Sequence, residues 1–401
     1  MGVTQGQGWI AYVGPFPFPS GVAGSRRMLG IALSFADAGY RVVVGSGEPS
    51  PRQITSLGEG DPAVSIGYIG LDESPAKGAS ILQKAGRIFW SWGKRTVAWL
   101  EAQSAKPACV VVYGGSAQYM LRLLPWCRKH GVPLVADVVE WYDPRQMTGG
   151  RFGPFNLSAQ WALRRLYPRT DGVIAISRLL ANHYSAAGLP VVRVPPTLDV
   201  RGIETGTGSD RVNGAKLQLV YAGTPGKKDL LGNVVEGVEA VDPGGTQVEL
   251  MVLGPSPDEI RSMLGGRPLP HSVRAVGRIA QAEVGVYVGR ADFSVLLREP
   301  ARFSNAGFPT KFVESMAHGT PVIANLTSDI ALFLQHGKEG LVCDDWSASA
   351  FADALRQALA LPPAQLAAMR SAARRQAERS FDYRQYSGAL SDFLRRLQAG
   401  S

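Results

Sequence analysis

The sequence predicts an α/β protein built from two Rossmann-like, doubly wound domains, and three observations carry that expectation. Short apolar runs alternate with helix-like segments along most of the 401 residues. Such runs mark parallel strands buried on both faces. The pattern stops at a polar, Gly-rich stretch near 201–215 and then starts again, as a domain boundary would. F-P-T-K-F-V-E-S-M-A-H-G-T-P-V-I-A at 308–324 reads as loop, helix, tight turn and strand in one piece.

The N-terminal half opens with a strand, G-W-I-A-Y-V-G (8–14), then the loop 15–25 and a helix over 26–39 that Gly39 closes. R-V-V-V-G (41–45) completes the first β-α-β unit. Further strands are expected at 64–69, 109–113, 133–139, 172–177 and 191–195. After the break they recur at 217–223, 248–254, 273–277, 293–297, 321–325 and 340–343. The segment from L-P-P-A-Q-L to F-L-R-R-L reads as helical throughout. The expected organisation is a first domain over 1–200, a linker over 201–215, a second domain over 216–380 and a terminal helix over 381–401.

Composition narrows the class. With 45% hydrophobic and 19% charged residues the chain can bury sizeable cores. Three scattered cysteines, Cys109, Cys127 and Cys343, give neither a disulfide framework nor a metal spacing, which suits a reducing, cytoplasmic setting. No leader or membrane-spanning run is expected. The net charge of +9 admits an anionic membrane, nucleic acid or an anionic substrate as partner. Scattered arginines without a nucleic-acid motif speak against the second.

Ligands of open α/β sheets bind beyond the carboxyl ends of the strands, so residues just after strands are the candidates. Gly223 ends a strand and leads into T-P-G-K-K-D, where Lys227 or Lys228 supplies a point charge. Arg278 and Arg298 each follow a strand. Thr310, Lys311 and Glu314 lie at the start of the 308–324 helix, where free N–H groups favour an anion. A phosphate beside Lys311 and a hydroxyl on Glu314 would describe a nucleotide diphosphate-sugar. In the first half, Gly21 and Gly24 fall in the loop after the first strand. A-D-V-V-E-W-Y-D-P (136–144) places Asp137, Glu140 and Asp143 at a strand end with Trp141 and Tyr142 between them. That pattern fits either sugar recognition or a loop anchored by its Trp. No D-x-D, H-E-x-x-H, G-x-S-x-G or P-loop is present.

The runs Y-A-G-T-P-G-K-K-D, G-F-P-T-K-F-V-E-S-M-A-H-G-T-P-V-I-A and S-D-I…G-K-E-G-L-V-C resemble the retaining glycosyltransferases of family 4, which have the two-domain GT-B fold. The resemblance implies a hexosyltransferase-type enzyme of polysaccharide biosynthesis that needs no metal and no cofactor. The second domain would bind the donor and the first the acceptor, a glycan, lipid-linked or small molecule. It assigns Glu314 to the donor ribose, Lys228 or Lys227 to the diphosphate, and Gly21 and Gly24 to the loop facing the donor phosphates. Asp137 and Glu140 would orient the acceptor hydroxyl. One departure stands out: Ala306 occupies the place of the first glutamate in the family's E-x7-E pattern. Ser304, Asn305 or the backbone near Gly307 and Phe308 would then serve the sugar. Two other readings stay open, a transferase-like binding protein without turnover and a GT-B-type epimerase or phosphorylase.

The segment 81–100 mixes Lys84, Arg87, Lys94 and Arg95 with Phe89, Trp90, Trp92 and Trp99. As one helix it would lie at an anionic membrane surface, making the protein peripheral on the inner face. Alternatively its Trp residues pack onto the first sheet.

Overall fold

Each half of the chain is organised by one parallel sheet. The computed structural model describes residues 8–19, 23–49, 54–57, 66–74, 78, 80, 83, 86–208, 215–225 and 228–399. The expected site residues Gly21 and Lys227, with Lys84, lie outside them. Residues 1–198 and 383–401 form one unit, and 199–382 the other.

In the first unit the strands are β1 (Trp9–Val13), β2 (Arg41–Ser46), β3 (Thr55–Leu57), β4 (Ile66–Gly70), β5 (Cys109–Tyr113), β6 (Leu134–Val138), β7 (Gly172–Ala175) and β8 (Val191–Arg193). Their order is β3-β4-β2-β1-β5-β6-β7-β8. Only β3 runs antiparallel, as a short edge strand that the sequence reading lacks. In the second unit β9 (Leu217–Ala222), β10 (Val248–Leu253), β11 (Val273–Gly277), β12 (Phe293–Leu296), β13 (Val322–Asn325) and β14 (Gly340–Cys343) are all parallel. Their order, β11-β10-β9-β12-β13-β14, is the 3-2-1-4-5-6 order of the Rossmann sheet. It reverses between β9 and β12, and a crevice opens at such a switch point.

The cores follow from burial on both faces. Ile10, Tyr12, Val42, Val44, Val111 and Ile174 meet Met28, Ile31 and Phe35 of the Ala23–Asp37 helix. Leu219, Leu250, Val252 and Phe293 meet Val234 and Val238 of the Leu231–Val241 helix and Phe351 of the Ala348–Ala360 helix.

Three sequence expectations need correction. The tail is not helical throughout: a helix over Pro363–Ser380 stops at Phe381, and a new one covers Ser387–Ala399. Phe381 is held by Phe308, Phe312 and Phe333, which pins the break inside the second unit. The later helix packs Leu390, Phe393 and Leu394 into the first core. Next, residues 201–208 of the expected linker, with Val200 before them, are packed within the second unit. Arg374 donates to the carbonyls of Val200 and Ile203, and Arg370 to that of Gly206. A Cβ on Gly206 would stand 2.1 Å from the Gly289 carbonyl, so this glycine serves close packing and not a free tether.

Finally, 81–100 is not one helix. A π-helical turn covers Arg87–Ser91, and after Trp92 the left-handed Gly93 (φ +82°) opens a separate helix over Lys94–Glu101. Only glycine adopts that backbone readily. The buried Glu73 carboxylate accepts from the Arg95 and Thr96 N–H groups, capping the new helix. The Trp92 indole donates to the Glu73 carbonyl, and Trp99 packs edge-on against Trp9. These two indoles thus serve packing.

Candidate active site

The switch point of the second sheet gathers charge. β9 delivers Tyr221 and Gly223, β12 delivers Arg298, and the Thr310–Ala317 helix delivers Lys311 in its first turn. At their centre is Asp229, which the sequence reading passed over as the end of G-K-K-D. Its carboxylate accepts from Arg298 Nε at 2.7 Å and Lys311 Nζ at 2.6 Å, and from the Tyr221 hydroxyl at 3.0 Å. The Lys311 ammonium also lies 4.0 Å from the centre of the Tyr221 ring, within cation–π range.

The backbone fixes these groups. Asn325, the last residue of β13, accepts from the Arg298 N–H and donates to the Arg298 carbonyl. Leu230 N–H bonds the Leu297 carbonyl, which ties the Asp229 loop to the end of β12. Gly223 and Gly254 close β9 and β10 with φ of +129° and +119°. A Cβ on Gly254 would come within 2.6 Å of the Gly223 carbonyl, so the two strand ends approach more closely than larger residues permit.

The electrostatics are those of an anion shared by two cations. Burial resists ionisation of Asp229, but Arg298, Lys311 and the hydrogen bonds outweigh it and hold its pKa down to about 2. Burial lowers the pKa of Lys311, while Asp229 works to raise it. One carboxylate against two cations leaves the cluster one positive charge in excess. It sits beside the N-terminus of an eight-residue helix, whose exposed N–H groups add partial positive charge. Such a cluster can take up an oxyanion.

Of the other expected donor residues, Glu314 lies one turn on from Thr310 and Lys311, and all three are half-buried. Lys228, also half-buried, precedes Asp229 directly. Arg278 does not join them. It follows β11, two strands from β9, and inter-strand spacing alone sets them roughly 9–10 Å apart. Its charge is felt by Glu259. Ala306 is fully buried in the Arg302–Ala306 helix, and so is Ser304. Asn305 accepts from the Ser328 N–H, and Phe308 stacks edge-on with Phe312 and Phe333.

The first sheet reverses between β1 and β5. Gly24, in the first turn of the Ala23–Asp37 helix, is explained by packing: a Cβ there would meet the Tyr113 hydroxyl at 2.8 Å. Asp137 is a correction. Only 1% exposed, it pairs with Arg27 at 2.8 Å and accepts from the Tyr12 hydroxyl at 2.5 Å. Arg27 spends its remaining donors on the carbonyls of Val194 and Pro195 at 2.7 Å. Both Asp137 oxygens are engaged, so it cannot orient an acceptor. Trp141 is likewise buried, edge-on to His183 with the Arg164 guanidinium over its ring. It anchors the loop and offers no face to a sugar. Glu140, two residues beyond β6, is half-buried. Asp143 accepts from Arg145 N–H and caps a short turn.

Comparison with known proteins agrees with this architecture. Residues 216–360 match the family model "Glycosyl transferases group 1", and residues 23–197 match "Glycosyl transferase 4-like domain". A curated relative, the amylovoran biosynthesis glycosyltransferase AmsK of Erwinia amylovora, is 26% identical over 239 residues. That alignment spans 58% of this chain and 58% of the relative. Among solved structures, sucrose-phosphate synthase of Thermosynechococcus elongatus superposes with a TM-score of 0.75 at 15% identity, covering 98% of this chain and 100% of that one. HepE of Anabaena, solved with UDP-glucose, gives 0.65 at 14% identity over 97% of this chain and 100% of its own. At those identities the likeness concerns the fold, two Rossmann-like domains of GT-B type.

Proposed function

We propose that this chain, which belongs to the two-domain glycosyltransferases, moves a sugar from a nucleotide diphosphate-sugar to the hydroxyl of a glycan, lipid-linked or small-molecule acceptor. The observation that carries the donor assignment is the Asp229–Arg298–Lys311 cluster, with its excess positive charge at the switch point of the second sheet. As the acceptor oxygen bonds the anomeric carbon, the bond from that carbon to the diphosphate oxygen breaks and the acceptor's hydroxyl proton passes to the leaving diphosphate. Negative charge then grows on the leaving diphosphate. Lys311, Arg298, Lys228 and the N–H groups at Thr310 would stabilise it in place. Glu314 would accept a ribose hydroxyl, and Glu140 would orient the acceptor. Metal independence rests on these fixed cations, and retention of anomeric configuration on the family 4 resemblance. The UDP and UDP-glucose bound by HepE make uridine compounds the first to try.

Ala306 favours a second reading, a sugar-nucleotide binder without turnover, since its methyl group offers the sugar no acceptor. Thermal unfolding with a panel of nucleotide diphosphates and their sugars tests the common part. A ligand at 100 times its dissociation constant adds about 2.7 kcal/mol. Lys311→Met removes a charge-assisted bond of roughly 1.5–3 kcal/mol and should weaken binding about ten- to a hundredfold. A panel that leaves the midpoint unmoved would refute the donor site. Binding without sugar transfer to any acceptor would favour the second reading.

A further inference from the structure

The chain's excess charge is concentrated in two segments. Residues 74–100 and 144–170 hold ten of its 42 Lys and Arg and none of its 33 Asp and Glu. The rest of the chain therefore carries 32 basic against 33 acidic residues. In the fold the two segments are neighbours. Phe89 and Phe155 pack with ring centres 6.0 Å apart. The Ala117–His130 helix binds both: Arg122 donates to the carbonyls of Trp90 and Trp92, and Gln118 accepts from Ser158.

Large apolar side chains are exposed on both segments and on the helix that binds them. Trp90 is 73% and Phe152 82% exposed, and Leu121, Leu157 and Trp161 are exposed as well. They are five of the ten large hydrophobics exposed among the described residues. Leu157 and Trp161 lie four apart on the Pro154–Trp161 helix and share a side. Exposed cations accompany them: Lys94, Arg151, Arg164 and Arg165. The salt bridges of the region are made instead by Arg87 and Arg95 with Asp72 and by Arg145 with Asp143.

Ordinary docking faces pair apolar surface with mixed charge. Here the charges of 74–100 and 144–170 are all basic, Asp72 and Asp143 just outside them pair with Arg87, Arg95 and Arg145, and the aromatics include two indoles. Aromatic rings settle at the headgroup level of a bilayer while Lys and Arg meet anionic headgroups. We propose that this face of the first unit docks on an anionic phospholipid surface, with Trp90, Phe152, Leu157 and Trp161 inserted and Lys94, Arg151, Arg164 and Arg165 on the headgroups. No described helix is long and apolar enough to cross a membrane, so the attachment is peripheral and reversible. It differs from the single 81–100 helix expected from sequence, because the surface is composite and its strongest apolar element lies at 152–161. It does not depend on the nucleotide site, which is in the other unit.

Sedimentation with mixed phosphatidylglycerol–phosphatidylcholine vesicles tests it. The full chain should bind these at low salt, release at high salt, and ignore pure phosphatidylcholine. Arg151→Glu, Arg164→Glu and Arg165→Glu together should lower partitioning at least about a hundredfold, since each basic residue near such a surface contributes about a fivefold share. Trp90→Ser with Phe152→Ser should lower it independently. All five positions are exposed, and an unchanged circular dichroism spectrum and unfolding midpoint would verify folding without bearing on the membrane. No binding to anionic vesicles, or binding equal in all variants, overturns the proposal. So does concentration-dependent self-association abolished by these variants without vesicle binding, which would give the face to a second copy.

Discussion

Asp137, within β6, and Asp229, in the loop after β9, each bind the matching tyrosine of their unit and meet opposite fates. Each accepts from a tyrosine one residue before the end of its sheet's first strand, Tyr12 in β1 and Tyr221 in β9. Each tyrosine is followed by a small or branched residue and glycine, Y-V-G and Y-A-G. Each aspartate pairs with an arginine. But Arg27 answers Asp137 one for one, and their side chains are 2% and 0% exposed. Asp229 answers two cations, and Arg298, Lys311 and Asp229 keep 11%, 14% and 6% exposure. The first arrangement is closed in charge and in space. The second has charge left over and a way in. Stoichiometry and access therefore separate a structural ion pair from one that can receive a ligand.

The most severe way to test that contrast is to break the closed pair. Asp137→Asn leaves Arg27 buried against a neutral partner, and such a loss costs roughly 3–5 kcal/mol. Chemical denaturation should show a much lower midpoint. Glu140→Gln, three residues on, should leave the midpoint in place and lower kcat/KM for the acceptor. If Asp137→Asn were as stable as the parent and impaired only in acceptor kinetics, the ion pair would not be structural.

Why the two aspartates look alike in sequence is plain from their partners. Arg27 is 110 residues from Asp137, and Arg298 and Lys311 are 69 and 82 from Asp229. No local pattern reports such pairings. What was legible is local: strand positions and the helix that Pro309 and Gly319 bracket came from periodicity and punctuation. Arg298 was found by its place after a strand and Lys311 by its place at a helix start, though not the carboxylate that joins them. Composition misled where it had two causes. Gly206 looked like linker and is a close contact, and Gly93, inside the single helix expected over 81–100, opens a separate one. The Trp90 face needed residues 87–92 and 151–161 to be seen side by side.

Acid sharpens the comparison from the other side. Asp229 has a folded-state pKa of about 2, below its ordinary 3.8. A depressed carboxyl contributes stability that is complete above the unfolded value and is lost as pH falls through the folded one. Asp229→Asn should thus cost about 2 kcal/mol near neutral pH, an order-of-magnitude figure. The deficit should shrink between about pH 4 and 2. Denaturation of both proteins across that range decides it. A deficit that stays constant down to pH 2 would mean that lost packing, and not the charge, is what Asn fails to replace.

The smallest expected effect is the response to a chelator. A leaving diphosphate needs positive charge, and either a metal or fixed groups can supply it. The second unit offers Lys311 and Arg298 held by Asp229, Lys228 next to it, and a helix N-terminus beside them. Sugar transfer should accordingly be unchanged by EDTA, whereas Lys311→Met should impair it. Activity abolished by EDTA and restored by Mn²⁺ or Mg²⁺ would reverse the argument. The excess charge at Asp229 would then be too weak to carry the diphosphate alone, and the open cluster would differ from the closed one in access only.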